Sequence, residues 1–223
     1  GDGAQADNVT GDFTLDWGRV ETEYWLVVGL YDGASHTGVS GNVTVNGGVL
    51  EVGVRKNDEG VYVESENGCI QLGRAPGSTT TFTQNDGEVS SQSGGNSGEN
   101  ALVLGNAANT VATYSIYGGT YTARTGKILI AEGSGSTGAL NVCGGTVYAA
   151  AITNGLGSAT VNLDGGTLYP LAGGVFIPKG VTLNVGDNGG TIYLAGHDVT
   201  IDGDVTGTGS LTVTGWGTLT VNG

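Results

Sequence analysis

Leu140-Asn-Val142-Cys-Gly-Gly145-Thr-Val147 is answered 21 residues later by Val161-Asn-Leu163-Asp-Gly-Gly166-Thr-Leu168. Each copy alternates apolar and polar residues, then sets a glycine pair before another apolar position. Alternation of period two puts one apolar face on a short strand. A glycine pair supplies the positive φ that a sharp corner needs. The same unit lies further out in both directions. Upstream it reads Phe13-Thr-Leu15-Asp-Trp-Gly18-Arg-Val20, Val43-Thr-Val45-Asn-Gly-Gly48-Val-Leu50, Phe82-Thr-Gln84-Asn-Asp-Gly87-Glu-Val89 and Tyr114-Ser-Ile116-Tyr-Gly-Gly119-Thr-Tyr121. Downstream, Leu183 to Ile192 carries two extra residues before Gly190, and Leu211 to Leu219 one before Gly217.

The final glycines of these eight copies are spaced 21 to 39 residues apart, so strands are kept while loops vary. A second mark accompanies the first: Ile70-Gln-Leu-Gly73, Leu102-Val-Leu-Gly105 and Ile128-Leu-Ile-Ala131 each end nine residues before the next copy. Leu26-Val-Val-Gly29 is a looser relative. One unit is therefore a strand, a small turn, a second strand, a glycine corner and a third strand. Such a unit cannot bury its apolar face alone, whereas stacked units can. The expectation is an all-β, right-handed, single-stranded parallel β-helix, since parallel crossovers are nearly always right-handed. A sandwich or barrel would favour hairpins and would not need each unit to resemble the next.

Composition agrees. Glycine supplies 45 of 223 residues and proline only 3, which leaves little room for helices. The whole of 1–223 reads as one solenoid domain, and with no methionine it is expected to be a segment or processed part of a larger secreted protein. Ala4-Gln5-Ala6 resembles the small-residue end of a signal-peptide site. Two inserts interrupt the rod: Glu51 to Gly68, a charged excursion expected to hold a hairpin or extra coil, and the polar loop from Val89 to Asn100. A net charge of −14 with only 7 Lys and Arg argues against nucleic acid and anionic lipid. No run of 18 apolar residues is present, so membrane insertion is not expected.

The C-terminal stretch Asp204-Val-Thr-Gly-Thr-Gly-Ser-Leu-Thr-Val-Thr-Gly-Trp-Gly-Thr-Leu-Thr-Val-Asn-Gly223 resembles the autotransporter-associated β-strand repeat of bacterial secreted passenger proteins. Ile128 to Tyr148 is similar to the same broad class of surface solenoids. The resemblance implies a β-helix outside the cell, secreted or on the cell surface. It transfers no catalytic residue, and the sequence contains no membrane barrel of the autotransporter kind.

Asp198, Asp202 and Asp204 beside His197 form the densest acidic group, with paired carboxylates of the kind a glycosidase uses. The nearest upstream cation is Lys179, and Asp-Gly is expected at turns. Asp164-Gly165-Gly166 and Asp187-Asn-Gly-Gly190 lack the nine-residue period of a calcium roll. His36 and His197 form no local pair. Cys69 and Cys143 read as two buried free thiols. No catalytic, cofactor-binding or metal residue is assigned. The outward file is read as Thr14, Thr44, Thr83, Ser115, Asn141, Asn162, Asn184 and Thr212, a mixed polar ladder and not an ice-binding threonine array. Trp17, Trp25, Trp216, Tyr24, Tyr31, Tyr117, Tyr148, Tyr169 and Tyr193 are the candidates for stacking on sugar rings. Asn8-Val-Thr10 and Asn42-Val-Thr44 are glycosylation sequons.

These readings favour a non-enzymatic structural or adhesive solenoid, a stalk or fibre segment. Its expected partners are further copies through the solenoid ends and a surface glycan or host ligand. The alternatives are a carbohydrate-active β-helix enzyme and a glycan-binding module.

Overall fold

The computed structural model describes residues 10–30, 39–65, 68–93, 98–124 and 126–223. Among these there is no helix, and the strands pair in parallel throughout the rod. The protein is a parallel β-helix, with eight coils among the described residues. Stacked at about 4.8 Å per coil, they make a rod on the order of 40 Å long.

Three faces run along it. The first stacks eight strands from Thr10–Leu15 through Ser40–Val45, Thr79–Gln84, Val111–Ile116, Thr137–Val142, Ser158–Leu163 and Val181–Val185 to Val205–Gly207. The second stacks eight from Arg19–Thr22 through Val49–Val52, Glu88–Ser91, Thr120–Ala123, Thr146–Ala149, Thr167–Pro170 and Gly190–Tyr193 to Leu211–Thr214. The third face is broken. Leu26–Val28, Ile70–Leu72, Asn100–Leu104, Lys127–Ile130 and Ile152–Asn154 form one sheet, while Gly174–Ile177, Val199–Ile201 and Leu219–Val221 form another. The charged excursion after Glu51 is an antiparallel hairpin, Val54–Lys56 against Tyr62–Glu64.

Alternation works as the repeat implies. In Val111–Ile116, Thr137–Val142 and Ser158–Leu163 alternate side chains are buried and the others face out. The inward files form one core, in which Phe82, Tyr114, Leu140, Val161 and Leu183 lie in register from coil three to coil seven. The core is not wholly apolar. Buried Gln84 accepts from the Tyr114 hydroxyl at 2.6 Å and donates to the carbonyls of Gly87 and Thr120, each at 3.0 Å. Tyr121 pairs with Ser91 at 2.8 Å. The two tyrosines meet edge to face with centroids 5.3 Å apart.

The glycine corner is dictated by contact. Gly18, Gly48, Gly87, Gly119 and Gly145 all have positive φ. A Cβ on Gly48 would come within 2.4 Å of the Gly18 carbonyl oxygen, and on Gly145 within 2.5 Å of the Gly119 oxygen. Each such carbonyl also accepts an amide from the next coil, as Val49 to Gly18 at 2.8 Å and Thr146 to Gly119 at 3.0 Å. Only hydrogen fits there.

The eighth glycine corner differs from the expectation. In the last coil the first-face strand is Val205–Gly207, and Leu211–Thr214 belongs to the second face, pairing with Gly190–Tyr193. Gly217 therefore sits between the second and third faces. The last coil carries two similar corners, Gly207-Thr-Gly209 and Gly215-Trp-Gly217, and glycine spacing alone does not tell them apart. Consequently the outward file ends at Thr206 and not at Thr212.

Candidate functional site

The corrected first-face file is a hydrogen-bonded ladder over its second half. Asn141 donates to Ser115 at 3.0 Å, Asn162 to Asn141 at 2.7 Å and Asn184 to Asn162 at 3.1 Å, with Thr206 reaching Asn184 at 3.4 Å. Two further ladders start from carboxylates in coil one. Asn42 donates to Asp12 at 2.7 Å and accepts from Thr81 at 2.6 Å. Asn46 donates to Asp16 at 2.7 Å and accepts from Asn85 at 2.6 Å. Because a carboxylate only accepts, Asp12 and Asp16 fix the direction of both chains. The sequon asparagine Asn42 is thus committed within a ladder, while Asn8 lies outside the described residues, as do Ala4, Gln5, Ala6, Tyr31 and His36.

Two of the three carboxylates near the C-terminus are spent in the same manner, while Asp204 is exposed and its side chain bonds no described residue. Asp198 accepts from the backbone amide of Thr218 at 2.9 Å, and Asp202 accepts from Asn222 at 2.7 Å. Both bonds tie coil seven to coil eight. Asp164 accepts from the amide and side chain of Asn188 at 2.8 and 3.2 Å, and Asp187 is bonded by Thr208 at 2.5 Å. No group of three or more His, Cys, Asp and Glu suited to a metal ion occurs among the described residues.

A charged clamp occupies the second face at the other end. Glu21 and Glu51 lie side by side in register, and Arg19 bonds both. Arg124, two coils further on, bonds Glu51 as well, reaches Ser90 and lies 3.7 Å from Glu64 on the hairpin. Gln92 adds a 3.0 Å bond to Glu64. The clamp holds the hairpin against the rod. Like charges side by side are unfavourable in a sheet, so the interleaved guanidinium explains why this pair is tolerated.

Beyond the clamp the second face changes character. Its outward positions in coils four to eight are Thr120 and Thr122, Thr146 and Tyr148, Thr167 and Tyr169, Thr191 and Tyr193, and Thr212 and Thr214. None is charged. Tyr148 and Tyr169 meet at a 39° tilt with centroids 4.6 Å apart, and Tyr169 and Tyr193 stack at 5.1 Å. The rings therefore spend their faces on one another and present edges and hydroxyls. Sequence reading picked out these tyrosines singly but missed the threonine file beside them. The signal was the Gly-Gly-Thr that recurs at Thr120, Thr146, Thr167 and Thr191.

The remaining aromatics scatter. Trp17 in coil one and Trp216 in coil eight are 84% and 88% exposed, and Tyr24 and Tyr117 are also exposed. Trp25 is half-buried, with Arg74 5.1 Å above its ring. Both cysteines are free. Cys69 is buried as expected, but Cys143 stands at an outward corner and is only half-buried, because the alternation ends at Val142. Burial and the nearby Asp164 push its thiol up. Among the described residues no helix is long and apolar enough to cross a membrane.

Comparison with protein-family models, with curated proteins and with solved structures finds no match to this chain.

Proposed function

We propose that this chain is a non-enzymatic structural or adhesive solenoid acting outside the cell, a stalk or fibre element that associates end to end. The observation that carries the reading is that the outward polar residues tie coil to coil, Asn141, Asn162 and Asn184 in one ladder and Asp198 and Asp202 between coils seven and eight. Trp17 in coil one and Trp216 in coil eight stand almost fully exposed. Exposed tryptophan is a frequent anchor of association. Asp198 and Asp202, the best carboxylates for hydrolysis, serve as ties between coils, which weighs against the enzyme reading.

The test is light scattering across a concentration series. Mass should rise with concentration, and more so with added salt, because rods of net charge −14 repel. Trp216→Ala should shift the midpoint to higher concentration. A single monomeric mass at every concentration and salt overturns end-to-end association. Polysaccharide cleavage that disappears in Asp202→Asn overturns the non-enzymatic reading.

A further inference from the structure

We infer that the second face between coils four and eight binds a linear, uncharged polysaccharide laid along the rod axis. The inference rests on the adhesive reading above and names its ligand class.

Three observations carry it. The first is unused hydrogen-bonding capacity. On the first face Asn141, Asn162 and Asn184 are already bonded to one another in a ladder. On the second face the hydroxyls of Thr146, Thr167 and Thr191 make no hydrogen bond to any described residue, and they are half-buried at the surface. A file of such groups repeats once per coil, at about the 4.8 Å spacing of adjacent strands. That step is close to the advance of one sugar along an extended chain. Successive sugars can then meet successive threonine hydroxyls.

The second is the wall beside this file. Tyr148, Tyr169 and Tyr193 are packed ring on ring, so their edges and hydroxyls are held in place before any ligand arrives. Pre-ordered side chains lose little entropy on binding. With the rings turned on one another, they act as a rim more than as platforms, which favours a chain lying beside them over a single sugar stacked on top.

The third is charge. All ten outward positions from Thr120 to Thr214 are threonine or tyrosine, on a chain of net charge −14. An acidic polymer would meet the repulsion of the whole rod, and the cation beside the strip in coil four, Arg124, is already bonded to Glu51. A neutral one pays no such penalty.

The experiment is native electrophoresis through gels holding a soluble neutral β-glucan, xylan or mannan, with polygalacturonate as the acidic control. At least one neutral polymer should retard the wild-type chain and polygalacturonate should not. The triple variant Thr146→Val, Thr167→Val, Thr191→Val keeps shape and strand preference while removing three hydroxyls. It should weaken binding about tenfold or more, three modest hydrogen bonds' worth. Tyr169→Ala should weaken it too, with an unchanged thermal melt showing that the rod is intact.

Four results overturn the inference: no retardation by any neutral polymer, equal retardation by polygalacturonate, full binding by the valine variant, or shaping of ice crystals in the absence of polysaccharide binding. Light scattering reads end-to-end association separately, so either proposal can fail alone.

Discussion

A Cβ placed on Gly119 would lie 2.0 Å from the carbonyl oxygen of Gly87, one coil below, and that oxygen already accepts the Thr120 amide at 2.9 Å. The corner is closed by backbone touching backbone. Its φ of 70° adds a conformation that other residues resist.

Gly119→Ala should therefore destabilise the protein by about 3 kcal/mol, the sum of a left-handed penalty and a steric shift that rigid backbone cannot absorb. Gly11→Ala is the control, since nothing lies within 4 Å of a Cβ there and its φ is ordinary. It should change stability by no more than about 0.5 kcal/mol. Urea unfolding of the two variants measures the difference. Equal effects would mean that the corner can relax.

Gln84 and Tyr114 should behave as a coupled pair. Gln84→Leu strands the buried Tyr114 hydroxyl and should cost about 1–3 kcal/mol. Tyr114→Phe removes that orphan, so the double variant should be less damaged than the sum of the two single ones. A double-mutant cycle gives the coupling. Strict additivity would show that the 2.6 Å bond contributes nothing to stability.

Alkaline pH should unfold the rod through Tyr114 and Tyr121. Burial holds both phenols well above the ordinary value of 10.0; for Tyr114 the neighbouring Tyr121 adds to this, while for Tyr121 the Ser91 hydrogen bond opposes it. In the unfolded chain they ionise near 10, so the unfolded state loses protons that the native state keeps. Their contribution is present in full below pH of about 10 and is lost as pH rises beyond it. Phenolate absorbance followed beside circular dichroism should show these two silent until the sheet signal collapses. Titration of all nine tyrosines near the ordinary value with the fold intact would contradict the burial.

Much of the architecture was legible before any coordinates. Val142, Leu163 and Ile116 announce an inward file by period two, and the glycines after them announce a corner, because both signals are local. The hairpin after Glu51 was legible too, as a charged interruption of the repeat. The last coil was not, since Gly209 and Gly217 look alike to a reader who sees only spacing. The acidic cluster was visible as a cluster, but nothing in the sequence says that Thr218 and Asn222 lie one coil above Asp198 and Asp202.

The sequence by itself determined that this is a glycine-cornered solenoid with one oily interior, for alternation and turn chemistry reach only a few residues along the chain. Tertiary structure decided which outward residues stand in the same file. Asn42 meets Thr81 across 39 residues and Asn141 meets Asn162 across 21. Loop length differs from coil to coil, so register, and with it the tyrosine stack and the threonine strip, is fixed only when strands hydrogen-bond to their neighbours.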